Sequence, residues 1–334
     1  MERDFRLDIA RAVCMCYIIA ILHLSQYLGA EHYIYESFIG RLITFSCLGL
    51  FTFMSGFLIG RKYNFTPTDH SQKNEILRFY KKRFVRIYPL FLLATILLWL
   101  IGFNSPLASL WGLLGVAPFV THQPKTLWYV SMLIIFYLIT PLVNRNSTRW
   151  KIMVSAGLVF LFALLKLIIP VDTRFIFNLF FYCLGLILSG IGIRYLNKTD
   201  HSLDWPHIIV IVGFVILLLL TNHYFQNSIT LFSVGALGVM AFFSLSNLLS
   251  HIHNIVFYKL IGFVSYASMV CYMFHRFFYW AGLNIYSPTN TTWKATYLVV
   301  VFFIGLVISF FIQKGYDNIL TKKRNKSTIE CSSK

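Results

Sequence analysis

Most of this chain is divided into apolar segments about 20 residues long, the length that lets an α-helix cross the hydrocarbon core of a membrane. Only 12% of the residues are charged, whereas a soluble domain has about a quarter. Lipid must therefore cover most of the surface, and a helix satisfies its own backbone hydrogen bonds in lipid. The sequence predicts an all-α, polytopic membrane helical bundle.

Ten segments qualify as candidate spans. They cover residues 8–28, 38–60, 87–103, 127–143, 151–169, 175–193, 207–222, 229–249, 260–281 and 293–314. A further apolar piece at 106–120 is short and interrupted by glycine and proline. We expect this piece to be interfacial or re-entrant and packed on protein.

Lysine and arginine favour cytoplasmic loops, and their positions give the expected orientation. Placing the N-terminus in the cytoplasm puts 22 of the 29 lysines and arginines on the inner side. With ten spans, the C-terminus is then cytoplasmic as well. Because the net charge of +17 lies in short blocks between spans, we expect contacts with anionic membrane lipid and no nucleic-acid partner.

The remaining features point to one membrane domain over residues 1–320. The basic stretch 321–334 is predicted to be a disordered cytoplasmic tail. The six cysteines are scattered, and no pair has the spacing of a metal site. We expect neither a metal site nor a disulfide.

Ionisable residues inside membrane spans are energetically costly, so each is a candidate for function. Those in the predicted spans are Asp8, Arg11, His23, Lys166, His275 and Arg276.

In the first span, Asp8 and Arg11 are three residues apart and can pair on one helix face. His23 lies about 18 Å further along the helix axis, in the outer half. His275 and Arg276 lie at a similar depth in the ninth span, so the three could line one polar pocket. Two interpretations remain open: structural ion pairs and hydrogen bonds, or a histidine that acts as a general base near neutral pH.

Two further motifs lie in and before the next spans. The Ser55–Gly56 pair suits close helix packing, although Ser55 could be a nucleophile if a base lay beside it. Lys82, Arg83 and Arg86 precede the third span at its cytoplasmic end. They suit membrane anchoring, but the planar fork of arginine also suits bidentate phosphate contacts.

Together these motifs resemble the acyltransferase-3 family, integral-membrane enzymes that move acyl groups, often acetyl, onto bacterial surface polysaccharides and other acceptors. The matching stretches are residues 7–11 with His23, 53–58, 83–89, 127–129, and 265–266 with His275. They occur in the family's order and at the family's depths, across nearly the whole chain.

The resemblance implies a multi-pass enzyme of the bacterial inner membrane, with residues 1–320 as its acyltransferase domain. It implies a catalytic role for His23, with Arg11, Arg83 and Arg86 important for donor handling. We expect Arg276 or His275 to steady developing oxyanion charge, so the predicted catalytic residues are His23, Arg11, His275 and Arg276. Acetyl-CoA would be a co-substrate rather than a bound cofactor, and its pantetheine arm would extend toward His23. Its phosphates would contact Arg83, Arg86 and Lys82. The acceptor would be a glycan or a lipid-linked glycan.

The spacing in the first span departs from the common family pattern by one residue. Arg11 and His23 enclose that extra residue, which would rotate His23 by about 100° on a regular α-helix. A π-bulge would absorb it; otherwise Arg11 need not share a site with His23.

Two other classes of protein fit parts of the sequence. A transporter or flippase for lipid-linked sugars or small anions would also have many spans, few charges within them and basic cytoplasmic loops. It would often show internal repeats and broken helices, neither of which is evident here. A scaffold for polysaccharide synthesis would tolerate loss of any single intramembrane polar residue.

Overall fold

The computed structural model describes residues 4–29, 33–65, 71–189, 204–224 and 227–332. These residues form helices and short connections, with no β-strand among them. The helices are α1 (Phe5–Cys16), which continues as a π-helix (Tyr17–His23), α2 (Phe38–Lys62), α3 (Ser71–Leu100), α4 (Pro106–Leu113), α5 (Trp128–Val143), α6 (Thr148–Leu165), α7 (Thr173–Leu188), α8 (Asp204–Tyr224), α9 (Ser228–Leu249), α10 (Ile255–Ile285) and α11 (Thr291–Ser332).

Among the described residues, six helices are long and apolar enough to cross a membrane: α2, α3, α6, α9, α10 and α11. Helices α5, α7 and α8 are also apolar but shorter. The all-helical, multi-pass membrane architecture therefore agrees with the sequence analysis. Each predicted span overlaps a helix; several extend a few residues into the adjoining turns, and 190–193 lie outside the described residues. The count of ten spans and the cytoplasmic termini stay predictions.

Two span boundaries differ from those expected, at α3 and at α11. Helix α3 begins at Ser71, well before the predicted span at 87, because its polar first half continues the same helix. The piece at 106–120 forms α4 and a short 3-10 helix, Ala117–Phe119. Helix α11 extends to Ser332, beyond the predicted span at 293–314; the disordered tail at 321–334 stays a prediction. No glycine or proline follows Gly315 in α11, and lysine and arginine are good helix formers.

The chain is divided into two compact units. Unit 1 comprises Met1–Tyr33 and Ile252–Lys334, and unit 2 comprises Ile34–His251. In unit 1, the ring of Phe5 stacks on that of Tyr258 with centroids 4.1 Å apart, near the first residues of α1 and α10. These two helices consequently run parallel, while α11 returns antiparallel along α10 with Tyr266 donating to Asp317.

In unit 2, α2 and α7 cross in close contact at two glycines. A Cβ atom added at Gly56 would lie 2.2 Å from the carbonyl oxygen of Tyr182, and one at Gly185 would lie 2.3 Å from that of Phe53. Neither position has room for a side chain. The packing interpretation of the Ser55–Gly56 pair is confirmed.

Loops of unit 2 that the charge pattern places on the same side of the membrane are in contact. The Asp172 amide donates to the Pro118 carbonyl at 2.9 Å, and Arg174 donates to Gln123 at 3.0 Å. Burial alone would raise the pKa of Asp172, but the hydrogen bonds and charge of Arg174 outweigh it and bring the pKa below its usual value. An ionised Asp172 paired with Arg174 therefore ties these two loops together.

Candidate functional site

Two histidines from separate helices of unit 1 meet through their ring nitrogens. Nδ1 of His23, the last residue of the π-helix, lies 2.7 Å from Nε2 of His275 on α10. The two rings are nearly parallel, at 5°, with centroids 4.7 Å apart. Because the nitrogens are much closer than the ring centres, the rings meet through their edges and share a hydrogen bond.

The surroundings of His275 determine which nitrogen carries each hydrogen. Nδ1 of His275 lies 2.7 Å from the carbonyl oxygen of Tyr272, which can only accept. This nitrogen therefore donates, and Nε2 of the neutral ring is an acceptor. Nδ1 of His23 must then donate to His275, which leaves Nε2 of His23 with a free lone pair.

That lone pair is available for chemistry. Nε2 of His23 makes no hydrogen bond with any described residue, and His23 as a whole residue is partly exposed. His275, by contrast, is only 2% exposed and is held by a backbone carbonyl. A base whose second nitrogen is oriented by a buried acceptor is the arrangement used in general-base catalysis.

The π-helix brings His23 to this position. The amide of Leu24 bonds the carbonyl of Ile19, five residues back, so the turn holds one residue more than an α-helical turn. The π-bulge suggested by the spacing between Arg11 and His23 is thus confirmed. The Tyr279 hydroxyl also donates to the Ile19 carbonyl, at 3.0 Å, and helps to stabilise the widened turn.

Arg276 is buried beside the pair, with 2% of its surface exposed. Its Nη1 lies 3.5 Å from the carbonyl oxygen of His23, and its guanidinium carbon lies 5.6 Å from the ring centre of Tyr27. The structure therefore brings together three of the four predicted catalytic residues: His23, His275 and Arg276.

The fourth residue, Arg11, belongs to a separate polar cluster. Its Nη1 lies 3.6 Å from Oδ1 of Asp8 and 3.3 Å from the Ser265 hydroxyl, which itself donates to Asp8 at 2.7 Å. Ser265 precedes His275 by ten residues of α10, or about 15 Å. The structure places Arg11 in a partly buried ion pair, away from the histidines. The pairing of Asp8 with Arg11 was predicted, but the part that Ser265 plays was not.

In unit 2, Arg83 is held by aromatic rings. Its guanidinium carbon lies 5.6 Å from the ring centre of Phe79 and 5.5 Å from that of Tyr137. The Nε atom is buried and has no hydrogen-bond partner among the described residues. Lys82 and Arg86, on the same helix, are exposed. None of these three cations forms an ion pair with a described residue.

Two other sequence candidates have ordinary structural roles. The hydroxyl of Ser55 lies 3.1 Å from that of Tyr137, and no histidine hydrogen-bonds to it. Lys166 is exposed and donates to the side chain of Thr173. Sequence reasoning missed Tyr272 and Tyr279, since a backbone carbonyl and a single aromatic hydroxyl leave no pattern. Within the described residues, no cluster of histidine, cysteine and carboxylate side chains could hold a metal ion.

Comparison with known proteins gives one match. The family model described as an acyltransferase domain matches residues 4–313 of 334. Curated proteins and solved structures gave no match. The matched stretch covers nearly the whole chain and includes the motifs around His23, Arg83 and His275. The chain therefore belongs to the acyltransferase-3 family of membrane acyltransferases.

Proposed function

We propose that this protein is an O-acetyltransferase of the bacterial inner membrane. It would move an acetyl group from acetyl-CoA to a hydroxyl of a cell-surface polysaccharide or its lipid-linked precursor. The observation that carries the proposal is the His23–His275 pair, in which Nε2 of His23 has no hydrogen and no hydrogen-bond partner among the described residues.

The pair supports base-catalysed transfer. The acceptor hydroxyl attacks the thioester carbonyl carbon while its proton moves to Nε2 of His23. The C–S bond then breaks, an ester forms, and the CoA thiolate takes the proton back from His23. In the protonated state His23 donates from Nδ1 to His275, which donates in turn to the Tyr272 carbonyl. This chain orients the ring and stabilises the imidazolium.

The same nitrogen also suits a two-step route. Nε2 of His23 could attack the thioester directly, releasing CoA and forming an acyl-imidazole that the acceptor hydroxyl then cleaves. In either route a negative charge develops on the carbonyl oxygen. The buried guanidinium of Arg276, beside the His23 carbonyl, is the proposed source of its stabilisation.

The proposed contact for the donor is Arg83, with Lys82 and Arg86 on the same helix. The Arg83 guanidinium lies against aromatic rings and has no carboxylate partner among the described residues, so it is available to an anionic ligand. The phosphates of CoA provide such an anion. A location at the cytoplasmic end of α3, as the charge pattern predicts, would give access to cytoplasmic acetyl-CoA.

The test is transfer of label from radiolabelled acetyl-CoA in inverted vesicles that contain the lipid-linked acceptor. We expect His23→Ala to lower the transfer rate by about 10²- to 10⁴-fold. We expect Arg83→Gln and Arg86→Ala mainly to raise KM for acetyl-CoA, each by about 10- to 150-fold, since a hydrogen bond to a charged group contributes about 1.5–3 kcal/mol.

Matched controls come from exposed residues of the same type. His253→Ala and Arg149→Ala should leave both constants within twofold, because neither residue lies in the proposed site. Normal turnover by His23→Ala would contradict the proposed catalytic role of His23. No transfer by the wild type with acceptor present, together with movement of labelled glycan lipid, would favour a flippase.

A further inference from the structure

Of the two aromatic rings that contact Arg83, one belongs to its own helix and one to another helix. The ring centre of Phe79 lies 5.6 Å from the guanidinium carbon, and that of Tyr137 lies 5.5 Å from it. Phe79 is one turn earlier on α3, so it moves together with Arg83. Tyr137 is on α5. Its ring is therefore the contact that fixes the guanidinium relative to the neighbouring helix.

The burial of Arg83 limits which of its atoms can contact a ligand. The residue is partly exposed, but its Nε atom is buried and has no hydrogen-bond partner among the described residues. A ligand cannot reach Nε, so the side of the guanidinium fork that includes Nε is closed to it. The atoms that remain for an anion are Nη1 and Nη2, which can bond two phosphate oxygens side by side.

The ring of Tyr137 is held by contacts from two further helices. Its hydroxyl oxygen lies 3.1 Å from the hydroxyl oxygen of Ser55 on α2. The ring also packs against Tyr182 on α7, with ring centres 6.4 Å apart and an angle of 61° between the ring planes. Tyr137 is buried, so its ring has little space in which to move. The position of the ring is thus determined by α2, α5 and α7 together.

Tyr182 is a firm support for that ring. The Thr140 hydroxyl donates to the Phe136 carbonyl at 2.8 Å, so the Tyr182 hydroxyl, 2.6 Å from the same oxygen, donates to Thr140. Tyr182 and Thr140 have no exposed surface. This hydrogen bond joins α7 to α5 only three residues from Tyr137, and so it limits movement of the two helices at the level of Arg83.

We propose that Tyr137 is a positioning residue of the donor site and that Ser55 holds it in place. The ring attracts the guanidinium without cancelling its charge and directs Nη1 and Nη2 of Arg83 toward the phosphates of CoA. The Ser55–Gly56 pair then has two separate roles. Gly56 lets α2 approach α7, and Ser55 acts on Arg83 through Tyr137. The inference rests on the proposed function, because it takes CoA to be the carrier of the acyl group.

The test compares binding of CoA with binding of pantetheine, which lacks the phosphates and the nucleotide of CoA. The full-length protein, in nanodiscs of neutral phosphatidylcholine and without an acceptor, is titrated with each compound in a calorimeter. We expect the wild type to bind CoA at least tenfold more tightly than pantetheine. Tyr137→Leu should weaken CoA binding at least fivefold and leave pantetheine binding within twofold. Damage to the fold would weaken the binding of both compounds.

Conservative variants separate the ring from the hydroxyl. Tyr137→Phe keeps the ring that contacts Arg83, so it should restore most of the CoA affinity that Tyr137→Leu loses. Ser55→Ala breaks the same hydrogen bond as Tyr137→Phe, and the two should weaken CoA binding by similar factors. In an Arg83→Gln background Tyr137→Leu should cause no further loss, because the ring acts only through the guanidinium.

The matched control is Phe136→Leu, at the neighbouring position of α5. It removes an equally large, fully buried ring, but one that packs against Tyr182 and not against Arg83. We expect the ratio of the CoA and pantetheine affinities to stay at the wild-type value in this variant.

The remaining outcomes distinguish failure of this inference from failure of the proposed function. Equal weakening of CoA and pantetheine binding by Tyr137→Leu, or a further loss in the Arg83→Gln background, would overturn the inference and leave acetyl transfer untouched. Preferential CoA binding that depends on Tyr137, in a protein that transfers no acetyl group, would refute only the proposed function. A wild type that binds CoA no better than pantetheine would refute the donor site and this inference with it.

Discussion

At the scale of single residues, the chemistry depends on the placement of two hydrogens. Nδ1 of His275 carries a hydrogen because it donates to the Tyr272 carbonyl, so Nε2 of His275 can only accept. Nδ1 of His23 therefore carries the hydrogen of the bond between the two rings. The hydrogen-free nitrogen of His23, which is the base in the proposed mechanism, is therefore set by a backbone oxygen that His23 does not contact. In this arrangement His275 is a positioning residue, because it acts on the reaction only through His23.

This dependence predicts the effect of His275→Phe. His23 would lose the acceptor for Nδ1–H, so the tautomer with the hydrogen on Nε2 would become accessible. We expect kcat to fall by about 10²- to 10⁴-fold, as for other orienting partners of catalytic histidines. KM for acetyl-CoA should change less than twofold. Steady-state kinetics in inverted vesicles would check this, with His253→Phe as control; a rise in KM alone would contradict it.

A second residue-scale prediction concerns two buried serines of α10. Ser265 donates to the buried carboxylate of Asp8, whereas Ser268 donates to the Ser265 carbonyl of its own helix. We expect Ser265→Ala to destabilise unit 1 by about 1.5–3 kcal/mol and Ser268→Ala by less than about 1 kcal/mol. Thermal unfolding in detergent compares the two variants. Equal decreases in the unfolding temperature of the two variants would mean that the hydrogen bond from Ser265 to Asp8 contributes no more to stability than the one from Ser268 to its own helix.

Three residues of the candidate site could be singled out from the sequence because ionisable groups are rare in lipid. His23, His275 and Arg276 stand out for that reason alone. The contact of Ser265 with Asp8 could not be predicted, since it requires the parallel packing of α1 on α10. Serine is also common in spanning helices, where it usually bonds its own backbone, as Ser268 does.

At the scale of elements, the π-helix is the feature that positions the site. Its wider turn holds one additional residue between Arg11 and His23, so both can face α10. A regular helix of the same length would turn one of them away by about 100°. The spacing in the sequence suggested this irregularity, although the exact turn that absorbs it depends on contacts from Tyr279.

The π-helix leads to a prediction about length. Deleting Ala20 should convert the widened turn to an α-helical one and keep His23 against His275, so the transfer rate should stay within tenfold of wild type. Inserting one alanine after Ala20 adds a residue that a single widened turn cannot absorb, and should lower the rate at least 10²-fold. Acetyl-transfer rates of the two variants, measured in inverted vesicles, test this prediction. Loss of activity in the deletion but not in the insertion would contradict it.

Other elements show why sequence patterns miss boundaries. The polar half of α3, from Ser71, has no apolar periodicity of membrane length, so hydropathy detects only its second half. The extension of α11 to Ser332 has the same cause, because hydropathy does not report helix propensity. Spans are predictable from lipid exposure, whereas polar helical extensions are not.

At the scale of the whole molecule, the alternation of lysine- and arginine-rich loops with loops that lack them predicts which loops face the cytoplasm, and cysteine labelling tests this prediction. In a Cys331→Ser background, Thr121→Cys and Ser287→Cys should react with a membrane-impermeant maleimide on intact spheroplasts. Asn146→Cys should react only after permeabilisation. The other native cysteines lie in helices, where four are buried and Cys16 is partly buried. Labelling of Asn146→Cys from outside would invert the orientation.

Unit 1 is built from the two ends of the chain, and this has a consequence for biosynthesis. The partners of Asp8, Arg11 and His23 lie on α10, which begins at Ile255. At about 5–20 residues per second of translation, the first span waits roughly 10–50 s in the membrane before its polar residues are matched. Nascent chains truncated ahead of α10 would leave the Asp8–Arg11 pair without Ser265 and His23 without His275, and we expect them to be degraded earlier than the full-length chain. Fusing α10 and α11 ahead of α1 would remove that delay.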